Sequence, residues 1–105
     1  MKIEILHVPD CPNVALLEQR LHQAHAGDLD VTHRVVEDLD TAHAVGMTGS
    51  PTLLIDGSDP FATPGLPASV SCRLYPDDKG HLAGAPPVAA LHQALAGDRS
   101  DARDR

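Results

Sequence analysis

The sequence predicts an α/β domain in which a mixed four-stranded sheet, in the order β-α-β-α-β-β-α, carries helices on both faces. Three patterns support this prediction. Residues 2–8 form a nearly continuous apolar run, residues 13–26 repeat apolar side chains at helical spacing, and residues 52–55 form a second short apolar run. A continuous apolar run is typical of a strand that is covered on both faces, and such a sheet needs helices above and below it.

The composition fits one small domain. The chain has 105 residues, of which 42% are hydrophobic and 2% aromatic, and its formal net charge is −7. The negative charge disfavours nucleic acid and anionic membranes as partners. We assign residues 1–96 to the domain and expect residues 97–105, which are rich in Asp and Arg, to form a disordered charged tail.

The expected compartment is the cytoplasm. No apolar segment approaches the roughly 20 residues that span a bilayer, and no signal peptide precedes the first predicted strand. We therefore expect no membrane partner, and we expect the two cysteines, Cys11 and Cys72, to be reduced thiols.

The first strand–helix–strand unit follows from apolar spacing. Within residues 13–26 the apolar face of a helix is formed by Val14, Leu17, Leu21 and Ala24. Gly27 stands where a C-terminal cap is expected. Residues 29–36 alternate as a second strand, and the long crossover implies that it lies parallel to the first strand through a right-handed connection.

The second half contains a short helix and a third strand. Asp38 or Asp40 is suited to cap a helix that ends at Gly46. Residues 52–55 form the third strand, and the following Asp56-Gly57 pair is typical of a turn.

The last part of the domain begins with an irregular loop, since residues 58–68 contain three prolines. Residues 70–75 are predicted as the fourth strand, and residues 87–95 as the last helix.

Cys11 is the strongest candidate for chemistry. It stands in the predicted turn before the first helix, and Pro12 suits the first helical position, where its missing N–H costs nothing. A thiol there faces unpaired backbone N–H groups and the positive end of the helix dipole, and both favour the thiolate. Asp10 opposes this effect, whereas a protonated His7 would support it. The alternative is a buried structural cysteine.

Residues 45–57, VGMTGSPTLLIDG, resemble the segment of thioredoxin-like proteins that carries their cis-proline. The family shows a Val, a Gly shortly before the proline, then Pro-Thr, three apolar residues and a Gly turn. The resemblance implies a thioredoxin-like sandwich, a cis Ser50–Pro51 bond, and Pro51 beside Cys11. It also implies that Pro12, Ser50 and Thr52 contact the substrate.

The chain departs from the family at its active-site turn. The Cys-x-x-Cys motif reads CPNV at residues 11–14, so Val14 replaces the second cysteine. What the resemblance then implies is monothiol chemistry at Cys11, either exchange with a small-molecule thiol or a protein disulfide, or binding of a soft metal such as mercury. The alternative is a non-catalytic binding module, since one fold hosts many functions.

A second resemblance concerns residues 69–75, SVSCRLY, taken with the GSPT segment and with DPF at residues 59–61. Together they resemble small bacterial thioredoxin-like proteins that are often labelled alkylmercury lyase-like. Organomercurial lyases use two cysteines and an aspartate. The resemblance implies that Cys11 and Cys72 share the mercury, with Asp10 or Asp59 as proton donor.

The expected geometry separates the two thiols. In the thioredoxin arrangement the third strand runs antiparallel to the first. The fourth strand runs antiparallel to the third and begins at the end of the sheet away from Cys11. We therefore expect Cys72 to be buried in a covered strand, with its Cα beyond the roughly 7 Å that a disulfide to Cys11 allows. A loop 58–68 that carries the chain back across the sheet would overturn this expectation.

No resident cofactor is expected, apart from a soft metal at the thiolates. His22 and His25 lie three residues apart on the predicted helix, a spacing that can share a metal. Because no further ligands complete a four-ligand set nearby, we interpret both as surface residues.

Overall fold

The computed structural model describes residues 2–25, 27 and 29–103, with side chains up to residue 96. The fold is mixed α/β, as predicted. Its elements are β1 (Lys2–His7), α1 (Asn13–Ala24), β2 (Asp30–Val35), α2 (Leu39–Val45), β3 (Thr48–Ser50), β4 (Thr52–Ile55), β5 (Ser69–Cys72), β6 (Tyr75–Pro76), β7 (Leu82–Ala83) and α3 (Val88–Arg103).

The central sheet has three strands in the order β2-β1-β4. β1 and β2 are parallel, with Ile5 opposite His33. β4 is antiparallel to β1, with Ile5 opposite Leu53. Both pairings confirm the predicted directions, and they place the apolar middle of β1 between two neighbours.

The two faces of the sheet bury separate clusters, because successive side chains of a strand point to opposite faces. On one face, Ile3, Ile5, Leu53 and Ile55 pack with buried residues of α1 and α3, namely Leu17, Leu21, Leu91 and Leu95. On the other face, Leu6 and Leu54 pack with Ala42 of α2 and with Val36 and Met47. Helices therefore cover both faces, which confirms that part of the predicted architecture.

The predicted pairing of the fourth strand is wrong. β5 does not extend the central sheet beside β4 but forms a separate parallel pair with β3, with Thr48 opposite Ser69. The loop 58–68 accounts for the difference, since it returns the chain to the start of β3, where the Ser69 N–H donates to the Met47 carbonyl at 3.1 Å. β6 and β7, which were not predicted as a pair, form a short antiparallel hairpin after it.

The short helix α2 begins and ends as the sequence predicts. The Asp38 carboxylate accepts a hydrogen bond from the Thr41 N–H at 2.7 Å, and this bond holds the pKa of Asp38 below its usual range. Gly46 ends the helix in the left-handed region, with φ 82°. The turn after β4 is also confirmed, since Asp56 and Gly57 both have positive φ.

The ends of the long helices differ from the predictions. Pro12 occupies the N-cap of α1 instead of its first helical position, and His25 instead of Gly27 is the C-cap, because the helix ends at Ala24. The backbone of α3 continues to Arg103. The charged tail 97–105 has its side chains outside the described residues, so its disorder stays a prediction. In the described part of the chain, no helix has the length and apolar character to cross a membrane.

Candidate functional site

The Cys11 loop connects the end of β1 to the start of α1. Cys11 is half-buried and carries no disulfide, and Asp10 before it is exposed in the left-handed region, with φ 59°. The Val14 N–H points back to the Cys11 carbonyl at 3.5 Å. Cys11 thus directly precedes the helix N-terminus, as the sequence predicts.

The segment before α3 packs against the start of α1. A Cβ on Gly84 would lie 2.2 Å from Cγ of Asn13, so the Asn13 side chain fills the space that a side chain at position 84 would need. Further along α1, the Arg20 guanidinium donates to the carbonyls of Ala85 and Pro86 at 3.0 and 3.2 Å. These contacts hold α1, which follows the Cys11 loop, against the segment before α3.

We expect Gly84→Ala to destabilise the protein by about 1 kcal/mol, because the new methyl group meets only the terminal amide of Asn13, which can move to another side-chain conformation. Denaturant unfolding measures the change. In the Asn13→Ala background the clash is absent, so the Asn13→Ala/Gly84→Ala double variant should be nearly as stable as Asn13→Ala alone. Equal losses from Gly84→Ala in both backgrounds would contradict this packing.

The Ser50–Pro51 peptide bond is cis, which confirms the prediction for this bond. Ser50, Pro51 and Thr52 are all buried. The Ser50 hydroxyl accepts a hydrogen bond from the Val8 N–H at 3.1 Å, and the Thr52 hydroxyl donates to the Gly49 carbonyl at 2.6 Å. The Ser50 contact joins this segment to the end of β1, three residues before Cys11. Pro12, the other residue expected to contact substrate, is exposed.

Cys72 is placed differently from the expectation. It is exposed and carries no disulfide, so its predicted burial in a covered strand is wrong. β5 runs parallel to β3 and sets Cys72 opposite Ser50. Ser50 also accepts a hydrogen bond from the Val8 N–H. Ser50 therefore lies between the end of β1 and Cys72.

Arg73 forms a buried polar cluster that the sequence analysis missed. Its guanidinium contacts the Asp59 carboxylate at 2.7 Å, and both side chains are less than one-tenth exposed. The same group donates to the Thr48 hydroxyl at 2.9 Å and to the Phe61 carbonyl at 2.8 Å. The cluster ties loop 58–68 to β3 and β5. One local signal was available: an arginine within residues 70–75, which are predicted as a strand of a covered sheet, has to find a buried partner.

Two neighbours complete the Arg73 cluster. Gly49, with φ 136°, leaves room for Arg73, since a Cβ there would lie 2.6 Å from the Arg73 Cβ. The Arg73 guanidinium carbon lies 4.7 Å from the centroid of the Tyr75 ring. The Tyr75 hydroxyl donates to the Pro51 carbonyl, and burial raises the pKa of Tyr75 well above its usual range.

Asp59 is already engaged within this cluster. One carboxylate oxygen pairs with Arg73, and the other accepts a hydrogen bond from the Phe61 N–H at 2.8 Å. Both oxygens therefore have donors inside the fold, which leaves the exposed Asp10 as the better placed of the two expected proton donors.

The metal-ligating residues are spread out. In the chain segments that the structure describes, no three His, Cys, Asp or Glu side chains converge to hold a metal ion. His22 is exposed and His25 is half-buried at the end of α1.

No protein-family model, no curated protein and no solved structure matches the chain.

Proposed function

We propose that this is a thiol protein in which Cys11 exchanges with disulfides and binds soft metal ions such as Hg²⁺. The observation that carries the proposal is the position of Cys11: a half-buried, unpaired thiol directly before the N-terminus of α1. Reactive cysteines are often found at helix N-termini, where backbone N–H groups favour negative charge.

A thioredoxin-like relationship is part of the proposal. It is supported by the β1–α1–β2 unit, by the antiparallel β4 and by helices on both faces of the sheet. The three-stranded sheet and the β3–β5 pair depart from that pattern. Val14 stands where the family has its second cysteine, so exchange at Cys11 would pass through a mixed disulfide that an external thiol resolves.

The chemistry needs no further cofactor. The Cys11 thiolate attacks one sulfur of a disulfide, a new S–S bond forms as the old one breaks, and the other half leaves as a thiolate. With Hg²⁺, the same sulfur acts as a soft ligand.

Single-cysteine variants test the proposal with glutathione disulfide and HgCl₂ as probes. We expect Cys72→Ser to form the mixed disulfide at about the wild-type rate, and Cys11→Ser to lose at least about tenfold in rate, because the reactive thiol is gone. Mass spectrometry gives the adduct and its position. A Cys11 that stays unmodified in folded Cys72→Ser but reacts after unfolding would overturn the proposal and favour a non-catalytic binding module.

A second candidate function uses both thiols for mercury, as in organomercurial cleavage. The observation that favours it is the position of Cys72, exposed and opposite Ser50 instead of at the far end of the sheet. In such a reaction the carbon–mercury bond breaks, the carbon takes a proton and Hg²⁺ stays on the two thiolates. Asp10 would supply the proton.

Phenylmercury distinguishes the two candidates. The paired-thiol function predicts benzene release by the wild-type protein, loss of that release in both cysteine variants, and a slower release in Asp10→Asn. It also predicts that either cysteine variant binds Hg²⁺ much more weakly. If Cys11→Ser but not Cys72→Ser loses Hg²⁺ binding, and the wild-type protein releases no benzene, the result favours the monothiol function.

A further inference from the structure

A cavity of about 520 Å³ opens beside Cys72. We call it the Cys72 pocket; its walls include Cys72, Phe61, Leu66, Leu74 and Tyr75. The two aromatic rings meet edge to face with their centroids 5.8 Å apart. The volume lies within the range of small-molecule sites, which are mostly apolar and aromatic.

The ionised residue in the wall of the Cys72 pocket, Arg73, already has a partner for its charge. Arg73 lines the cavity, but its guanidinium pairs with the Asp59 carboxylate and donates to Thr48 and Phe61. Its side chain is 8% exposed. Because the Asp59 carboxylate neutralises the guanidinium and the Arg73 side chain is almost fully buried, a charged ligand would lose hydration in the pocket without gaining a free opposite charge.

We infer that the Cys72 pocket binds the uncharged aromatic group of a small disulfide, with which Cys72 forms a mixed disulfide. Leu66 and Leu74, 42% and 55% exposed, give the pocket an apolar rim, and the Phe61–Tyr75 pair gives it an aromatic wall that suits a planar ring. This inference rests on the proposed thiol exchange of the protein, and it assigns to Cys72 its own substrate class, beside the disulfide exchange proposed for Cys11.

The step balances without an external oxidant. The Cys72 thiol loses its proton to solvent, and its sulfur attacks one sulfur of the aromatic disulfide. The Cys72–S bond forms as the disulfide S–S bond breaks, and the second aromatic half leaves as a thiolate. The aromatic disulfide is the oxidant and is itself reduced.

The test uses Cys11→Ser, in which Cys72 is the remaining thiol, and dithiodipyridine as an uncharged aromatic disulfide. We expect the labelling rate, followed by release of thiopyridone, to saturate with dithiodipyridine concentration. Leu66→Asp in the same background should raise the half-saturation concentration about tenfold, since it places a charge at the apolar rim. Bipyridine, which has no disulfide, should slow the labelling as a competitor.

Two controls separate binding from general reactivity. Leu39→Asp, a matched change at a 56% exposed leucine on α2, should leave the half-saturation concentration unchanged. Hydroxyethyl disulfide, which is uncharged but lacks a ring, should label Cys72 at the same rate in Leu66→Asp as in its parent. A labelling rate that rises linearly with dithiodipyridine and ignores bipyridine would overturn the inference. Cys72→Ser, in which Cys11 remains, reports separately on the proposed function.

Discussion

Replacing Arg73 by alanine is expected to lower the free energy of unfolding by about 3–5 kcal/mol, the usual cost of removing one partner of a buried ion pair. The variant leaves the Asp59 carboxylate buried without its guanidinium. It also removes the donors to Thr48 and to the Phe61 carbonyl, which hold loop 58–68 against β3. Urea unfolding followed by circular dichroism measures the loss.

The matched control for Arg73→Ala is Arg34→Ala. Arg34 pairs with Glu4 at 3.1 Å, but its side chain is 53% exposed, and such surface pairs contribute about 0–1 kcal/mol. If Arg73→Ala does not fold, Asp59→Asn provides a milder change that keeps the shape of the side chain. Equal destabilisation by Arg73→Ala and Arg34→Ala would show that the Arg73 cluster does not stabilise the fold.

The parts of the fold that could be predicted depend on local patterns. The apolar run of β1 and the helical spacing of α1 lie within short segments, so periodicity alone identifies them. The Asp38 cap of α2 is local in the same sense, because its carboxylate bonds the N–H of Thr41 three residues away. Cys11 could be placed before a helix for this reason.

The pairing of β5 could not be predicted in this way, because the residue pattern of a strand does not identify the neighbouring strand with which it pairs. β5 is a four-residue strand with two serines that follows a proline-rich loop, and that pattern fits either β4 or β3 as a neighbour. The choice depends on contacts between residues distant in sequence, above all Arg73 with Asp59 and the close approach of Arg73 to Gly49. The exposure and position of Cys72 follow from that choice, which is why the expectation for this thiol was wrong.

Alkaline pH is expected to unfold the protein through Tyr75. The ring is 3% exposed, and burial is the main cause that raises the pKa of Tyr75 well above its usual range, with Asp59 adding to the effect and Arg73 opposing it. In the unfolded chain a tyrosine ionises at about pH 10. Above that pH the unfolded state loses a proton that the folded state keeps, so stability falls as pH rises, by up to about 1.4 kcal/mol per pH unit.

The sequence makes this titration directly observable, because Tyr75 is the single tyrosine and there is no tryptophan. The ultraviolet absorbance of the phenolate should appear together with the loss of circular dichroism, in one cooperative step above about pH 10. In concentrated urea the same absorbance should follow the ordinary titration of an exposed tyrosine. Tyr75→Phe should remove this part of the alkaline destabilisation, at the cost of the hydrogen bond to the Pro51 carbonyl, about 1 kcal/mol. A phenolate that forms near pH 10 while the circular dichroism stays native would show that water reaches Tyr75, and that the wall it contributes to the Cys72 pocket is open.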